Sequence, residues 1–246
     1  NLVLQECDYT NVNLGLEIAE FIDDFSIDGL IVTPPLSDMN EFLEHLNQTQ
    51  VEYSIIAPSN TSKVKSYVSS NDYEASYAMT NKIINKGHMN IGFIKGHHKH
   101  SASHLRFNGF ADALKDQGMS LNSEWVKEGD FSFDSGFSAG LELLKSHNKP
   151  SVIFASNDYM AAGVMKAAQM NGINIPLDLS LVGFDDSPLA AQLWPSLTTI
   201  RQPVEDMAYH AAKLLLGNID GLSEEMASKE FISELILRES LINLIE

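Results

Sequence analysis

Residues 172 to 186 read GINIPLDLSLVGFDD and contain the junctions of an α/β fold within one short stretch. Gly172 stands where a glycine in the left-handed conformation commonly ends a preceding helix. The apolar run Leu179–Phe184 has no charged residue, which predicts a strand. Asp185 and Asp186 follow it directly, so the sequence places two carboxylates at the carboxyl end of this strand.

The same alternation of apolar runs and helical periods continues outward along most of the chain. It is typical of an α/β fold with parallel sheets, which bind ligands at the carboxyl ends of their strands. The predicted strands are Leu2–Cys7, Gly29–Thr33, Tyr53–Ala57, Ile91–Lys95, Val152–Ala155, Leu179–Phe184 and Phe231–Leu237. The predicted helices are Leu14–Phe25, Asp38–Asn47, Tyr73–Lys86, Ala102–Gln117, Ser135–Ser146, Tyr159–Asn171 and Val204–Leu216.

Composition excludes several classes of protein. The 246 residues are 44% hydrophobic and 20% charged, which is ordinary for a globular protein and excludes intrinsic disorder. No apolar run approaches the roughly 18 residues that a membrane span needs. The net charge of −17 repels phosphate, so this chain alone should not bind nucleic acid. A single cysteine, Cys7, excludes a disulfide framework within the chain.

Three polar residues at predicted strand-to-helix junctions are candidates for ligand contacts. The Asp185 carboxylate can accept hydrogen bonds from hydroxyls, and Asn157 can offer both a donor and an acceptor. Arg106 lies one turn into a helix, where the helix dipole disfavours a cation, and its planar fork suits paired hydroxyls or a carboxylate. The neighbouring residues Asp186 and Asp158 could each contact a ligand or act as the N-cap of the helix that follows. For Asp158 we favour the N-cap.

Two catalytic interpretations are weak. Five of the eight histidines fall between His88 and His104, but no Asp, Glu or Cys lies among them to complete a zinc shell. The string 136–140, GFSAG, matches the serine hydrolase pattern, but no apolar strand leads into it, and we predict Ser138 inside a helix. The aromatic residues Phe131 and Trp194 could stack on a sugar, but each one considered alone is better explained by packing in the core. We therefore predict no metal, no cofactor and no enzymatic activity.

A family resemblance emerges when the first stretch is extended. Residues 172–186 continue to WPSLTTIRQP at 194–203, and together these strings resemble the regulatory core of the lac repressor / galactose repressor family of bacterial transcription factors. The strings DGLIV at 28–32, RFNGF at 106–110 and ASNDYMAAG at 155–163 agree with it. The resemblance covers essentially the whole chain.

The resemblance implies a fold like that of periplasmic sugar-binding proteins. Two parallel α/β subdomains would be joined by three crossovers, near Gly87, Pro203 and Glu230, with the effector in the cleft between them. The first subdomain would hold residues 1–86 and 204–229, and the second residues 87–201 and 232–246. Because Leu2–Cys7 resembles the family's second core strand, we expect roughly 90 further residues before Asn1, comprising a strand-helix unit and a basic helix-turn-helix headpiece.

The resemblance also implies a function, that of the effector-binding and dimerisation core of a cytoplasmic repressor whose DNA contacts belong to the headpiece. Its effector would be a sugar or a sugar phosphate. Matching motif to motif, the effector contacts fall on Arg106, Phe131, Asn157, Asp185, Gln202 and either Asn71 or Asp72. We expect the apolar residues Leu189, Leu193 and Trp194 to help bury a two-fold interface. The alternative is a periplasmic sugar-binding protein of a transport system, which would have the same fold.

Overall fold

The structure, a computed structural model, describes residues 2–61, 64, 66–146, 148–220 and 228–244. It divides the chain into two compact units. Unit 1 comprises Asn1–Ser69 and Val204–Phe231, and unit 2 comprises Ser70–Pro203 and Ile232–Glu246. Among the described residues no helix combines the length and the apolar character that crossing a membrane requires.

Helices and strands alternate as predicted. The helices are α1 (Leu14–Phe25), α2 (Asn40–Gln48), α3 (Asp72–Asn85), α4 (Ser101–Asp116), α5 (Phe133–Lys145), α6 (Asp158–Met170), α7 (Pro188–Gln192) and α8 (Val204–Ile219). The strands are β1 (Gly29–Val32), β2 (Glu52–Ile56), β3 (Tyr67–Ser70), β4 (Ile91–Ile94), β5 (Val126–Lys127), β6 (Val152–Ala155), β7 (Ser180–Val182), β8 (Thr199–Arg201), β9 (Lys229–Phe231) and β10 (Glu234–Ile236).

Unit 1 is built on a four-stranded sheet in the order β1-β2-β3-β9, in which β2 is parallel to both β1 and β3. Helix α1 buries Leu14, Ile18 and Ile22, whose four-residue spacing puts them on one face of the helix. These side chains pack with Val32 and Ile55 of the sheet in one apolar cluster.

The strands predicted near the two ends of the chain do not form as single strands. Leu2–Cys7 forms no strand, and the side chains of Leu2 and Leu4 are 94% and 93% exposed. An apolar run becomes a strand only where a neighbour pairs with its backbone, and no described strand pairs with this one. The predicted strand Phe231–Leu237 divides into β9 and β10, which belong to different sheets.

Unit 2 is built on a parallel sheet in the order β5-β4-β6-β7. Strands β4 and β6 are fully buried, as apolar runs in parallel sheets usually are. One apolar cluster includes α3 and α4 residues, and the rings of Phe93 and Phe110 stack there at 4.6 Å. A second cluster joins α5 and α6 to the sheet. Strands β8 and β10 form a separate antiparallel pair.

The first boundary between the units differs from the predicted crossover at Gly87. Helix α3 belongs to unit 2, because Met79 and Ile83 are completely buried in the same cluster as Phe93. The chain therefore changes unit at Ser70, before this helix and not after it. An amphipathic helix between two strands carries no sign of which sheet it will cover, so its apolar face could not settle the boundary. The other unit boundaries fall after Pro203 and Phe231.

Candidate functional site

The candidate site lies in unit 2, at the carboxyl ends of β4, β6 and β7. Its central group is Arg106, in the second turn of α4. Gly109, one turn further on, lets α3 approach closely, since a Cβ there would lie 2.2 Å from the Tyr73 carbonyl oxygen. This close approach brings Asp72, the first residue of α3, to the arginine.

The Arg106 guanidinium is held on three sides. Its Nε donates to Asp72 Oδ1 at 2.6 Å, and its Nη1 donates to the Ser156 carbonyl at 2.7 Å. Its Cζ lies 3.7 Å from the centroid of the Phe184 ring. Burial would lower the pKa of Arg106, but the nearby carboxylates of Asp72 and Asp185 outweigh burial and raise it. The side chain is therefore a fixed cation.

Asp185 presents a second carboxylate to this cation. Its Oδ1 lies 3.4 Å from Arg106 Nη1 and accepts a hydrogen bond from Gln202 Nε2 at 2.7 Å. Burial raises the pKa of Asp185, and Arg106 opposes that rise. Its side chain is still 32% exposed, so this carboxylate remains accessible to a ligand.

Ser70 completes the network, and the sequence reasoning missed it. Its hydroxyl lies 2.7 Å from Asp72 Oδ2 and 3.1 Å from Gln202 Oε1. The sequence feature that could have indicated Ser70 is its place at the start of a polar run before α3. The Arg106 network is hereafter the set Ser70, Asp72, Arg106, Asp185 and Gln202.

Asp186 does not cap a helix, which corrects the alternative considered for it. The residue before α7 is Ser187, and Pro188 begins the helix. The buried Asp186 carboxylate instead lies 2.7 Å from Arg201 Nε and 2.6 Å from Arg238 Nη2. Asp185 and Asp186 have φ angles of 108° and 53°, which non-glycine residues rarely adopt. These two ion pairs help hold that strained turn in place.

The helix cap expected at Asp158 is formed by Asn157 instead. Asn157 Oδ1 caps α6 by accepting from the Met160 amide, and its Nδ2 donates to the Phe131 carbonyl, both at 2.9 Å. Asp158, expected as the cap, is the first residue of α6 and is fully buried. Its carboxylate accepts from Thr199 Oγ1 and from a backbone amide, and burial raises its pKa to about 6.

Phe131 lies at the rim of the network, and its backbone is in the left-handed region, at φ 71°. Its ring packs directly on Gly96, where a Cβ would be 2.0 Å from the ring. The His100 ring meets it edge-on at 5.3 Å, and Arg106 Cζ lies 5.9 Å from its centroid. The ring is partly exposed, so an apolar face is available beside the polar network.

Asn71 and Asp72, the two alternatives for an effector contact, have different partners within the protein. Asp72 joins the network, whereas Asn71 Oδ1 accepts a hydrogen bond from the Ser233 amide at 2.7 Å. Asn71 therefore holds the backbone of the last crossover segment in place.

Two polar atoms of the network are left without a partner by the described residues, and the Asp185 side chain that carries one of them is 32% exposed. Neither Asp185 Oδ2 nor Arg106 Nη2 hydrogen-bonds to any residue that the structure describes. One is an acceptor and the other a donor. A hydroxyl group both donates and accepts, so a pair of adjacent hydroxyls matches this arrangement.

Neither catalytic interpretation is supported by the geometry. His88 is buried, with its ring nitrogens near the Ser151 hydroxyl and the Ile242 carbonyl, while His97 and His98 stack on each other at 4.6 Å. Across the described ranges, no three His, Cys, Asp or Glu side chains converge as metal ligands would. Ser138 lies inside α5 and not on a strand-to-helix turn.

The residues predicted for a two-fold interface line a groove to which none of the five network residues contributes. Leu189, Leu193 and Trp194 line a groove of about 1100 Å³ together with residues of α6, among them Tyr159. Trp194 is 86% exposed and Tyr159 54% exposed. Exposed large aromatic side chains beside a groove are more typical of an interaction surface than of solvated surface.

Comparison with known proteins gives a consistent family. The model of the periplasmic binding protein-like domain matches residues 80–241. The transcriptional repressor PurR of Vibrio vulnificus is 31% identical over 217 residues, which cover 87% of this chain and 64% of that protein. The transcriptional regulator GalS of Salmonella typhimurium is 38% identical over 162 residues, or 66% of this chain and 48% of that protein.

A solved complex of the transcriptional regulator CelR with cellobiose superimposes with a TM-score of 0.86 at 28% identity, covering 94% of this chain and 71% of that one. This chain spans from about half to just under two thirds of the length of the two curated relatives. The fold and these relatives agree with the resemblance carried by residues 172–203. The chain belongs to the periplasmic binding protein-like domain family, as the core domain of the LacI type.

Proposed function

We propose that this chain is the ligand-sensing core of a LacI-type transcriptional regulator and that its effector binds at the Arg106 network. The observation that carries the proposal is the pair Arg106 and Asp185, whose Nη1 and Oδ1 lie 3.4 Å apart beside the carboxyl ends of parallel strands. Among the described residues, neither Arg106 Nη2 nor Asp185 Oδ2 has a hydrogen-bond partner. The relatives support the regulatory role, since PurR and GalS are transcriptional regulators.

The effector in this proposal is a hydroxylated small molecule, with a sugar as the first candidate. Arg106 and Asp185 bind adjacent hydroxyls, and the Phe131 ring covers an apolar face of the sugar. Asp72 and Gln202 hold the charged groups in position, while Asn157 fixes the Phe131 backbone through its carbonyl. The cellobiose in the CelR complex is an example of such a ligand in a protein of this fold.

Signalling would follow from a population shift. A ligand that binds one conformation more tightly favours that conformation, and a dimer can transmit the change to attached DNA-binding modules. With a net charge of −17 this segment is a poor ligand for DNA, so operator contacts are assigned to a separate basic module of the whole protein. A cytoplasmic location, where operator DNA is found, belongs to the same proposal.

The proposed dimer uses the groove lined by Leu189, Leu193 and Trp194. A two-fold axis would place the same exposed aromatic side chains of both copies against each other. Burying them would remove a large apolar surface from water, which is the main driving force of association. A transport protein remains the second candidate for this fold, but the regulators among the relatives favour the first.

A thermal-shift screen against neutral mono- and disaccharides tests the binding function. At least one sugar should raise the melting temperature of the wild-type chain. The variant Asp185→Asn should melt close to the wild-type temperature and lose most of that shift, since its amide Nδ2 donates where a carboxylate oxygen would accept. Asp178→Asn, the same change at an exposed turn, should keep the shift. Equal shifts in both variants would contradict the proposed site.

A further inference from the structure

The loop between β4 and α4 is rich in histidines, and the proposed function does not use them. This histidine loop, residues 96–100, reads GHHKH, and it packs against Phe131. We infer that the histidine loop is an acid-sensitive switch on the effector site, in which protonation of its imidazoles displaces the Phe131 ring. The inference rests on the proposed function and adds a mode of regulation to the same site.

The three imidazole rings of the loop form one continuous array that ends on Phe131. The rings of His97 and His98 stack with their centroids 4.6 Å apart, and the His100 ring meets the His97 ring edge-on at 5.5 Å. The His100 ring in turn meets the Phe131 ring at 5.3 Å. The Phe131 ring also rests on the loop backbone, since a Cβ at Gly96 would overlap it. A displacement of the loop therefore moves the aromatic side chain that is proposed to cover the sugar.

The hydrogen bonds of the loop require a neutral His97. The Lys99 amide donates to His97 Nδ1 at 3.2 Å, so this nitrogen must carry a lone pair. The one proton of the neutral ring is then on Nε2, and a second proton would have to bind at Nδ1. Protonation would therefore set two N–H groups against each other and break this hydrogen bond.

Electrostatic interactions at His97 act in the same direction. Burial of the ring is the largest influence and lowers the pKa of His97; His98 and Lys99 lower it as well, whereas Asp130 opposes them. Among the described residues, the charged and titratable groups on the segments that adjoin the loop are Lys95 with its partner Glu128, Arg106 with its partners Asp72 and Asp185, and His98, Lys99, His100, His104 and Asp130.

The sign of the pH effect follows from the protons bound in each arrangement. The observed loop holds the pKa of His97 below the ordinary value of 6.5, which the ring would regain in a displaced, solvated loop. The displaced loop therefore binds more protons, and acid favours it. The observed arrangement is fully favoured above pH 6.5 and loses stability as the pH falls below that value. One proton shifts such an equilibrium by at most about tenfold for each pH unit.

The switch can be followed without any sugar, through the Phe131 ring signals in the carbon NMR spectrum of the 246-residue chain. Phe131→Leu identifies these signals among those of the 12 phenylalanines. Between pH 7.5 and 5.5 the wild-type signals should move with the titration of His97. His97→Asn should abolish most of that movement, because Asn Oδ1 can replace Nδ1 as the acceptor and takes up no proton.

The control for this experiment is His45→Asn, the same change at an exposed position of α2 in unit 1. It should leave the wild-type movement of the Phe131 signals unchanged. Phe131 signals that stay still in the wild-type chain, or that move equally in His97→Asn, would overturn the inference.

Calorimetric titration with glucose, ribose and cellobiose measures the consequence for binding. A sugar that binds the wild-type chain at pH 7.5 should bind about three- to tenfold more weakly at pH 5.5, and His97→Asn should lose most of that difference. Asp158 and Asp185 are present in both chains, so any effect of their titration is common to both. An equal pH dependence in the two chains would overturn the inference. Absence of binding by all three sugars would instead count against the proposed function, whereas the ring signals test the switch independently.

Discussion

Asp72 Oδ1 lies 2.6 Å from Arg106 Nε, and both side chains are almost completely buried. The two residues come from helices that approach closely at Gly109. An isolated charge in this position would be strongly unfavourable, so each partner makes the burial of the other possible. The ion pair is thus both part of the candidate site and part of the packing of α3 on α4.

The variant Asp72→Ala should therefore be destabilised severely. Removing one partner of a buried ion pair leaves an uncompensated charge and typically costs about 3–5 kcal/mol of the free energy of unfolding. Urea denaturation measures this change. Asp116→Ala removes an exposed carboxylate at the end of α4 and should cost less than about 1 kcal/mol. Equal losses in the two variants would mean that the buried pair contributes nothing special to stability.

Asp158 should make stability depend on pH in an unusual direction. Its pKa is raised from 3.8 to about 6 by burial, so between those values the folded state binds more protons than the unfolded state. This carboxyl therefore stabilises the fold below pH 4, and its contribution falls as the pH rises towards 6. Asp158→Asn should remove that fall, which amounts to at most about 3 kcal/mol across the window.

The titration itself can be followed by carbon NMR of the Asp158 carboxyl in the folded chain. A midpoint near 6 is expected, and a midpoint near 4 would contradict the account. Asp116→Asn, on the exposed end of α4, should leave the midpoint of Asp158 unchanged.

Gly96 should matter to binding only through Phe131. A Cβ at residue 96 would meet the Phe131 ring at 2.0 Å, so Gly96→Ala must displace the ring and weaken sugar binding. In a double-mutant cycle, adding Gly96→Ala to Phe131→Ala should cause little further loss of affinity. Calorimetric titration measures the four affinities, and fully additive losses would show that Gly96 acts by another route.

Trp194 should contribute to self-association. Sedimentation of the wild-type chain at micromolar concentration is expected to show a dimer, and Trp194→Ala is expected to weaken it by at least tenfold. Met89→Ala changes a similarly exposed apolar side chain before β4 and serves as the matched control. A wild-type monomer, or a dimer that both substitutions leave intact, would count against this interface.

Helix periodicity and strand-end chemistry could be predicted from the sequence, because each depends on local residues. The predicted helix Leu14–Phe25 and strand Val152–Ala155 match α1 and β6 to the residue. Leu2–Cys7 failed since pairing depends on a neighbour elsewhere in the chain. The predicted boundary at Gly87 differs from the observed one at Ser70, because the sheet that α3 covers is chosen by tertiary packing.

The charged residues of the candidate site could be predicted from the sequence, but their hydrogen-bond and ion-pair partners could not. Arg106 stood out because a cation early in a helix is poorly placed for local stability, and the structure gives it buried carboxylate and carbonyl partners. Asp158, expected as the cap of α6, instead accepts a hydrogen bond from Thr199, a residue distant in sequence. No local pattern contains that information.

The most direct test of the central claim is a crystal structure of this chain with the neutral sugar that binds most tightly in the thermal-shift screen. We expect adjacent sugar hydroxyls within hydrogen-bond distance, about 2.6–3.2 Å, of Asp185 Oδ2 and Arg106 Nη2, with the Phe131 ring against the sugar. A sugar bound elsewhere, with no contact to either atom, would contradict the assignment of the Arg106 network as the effector site.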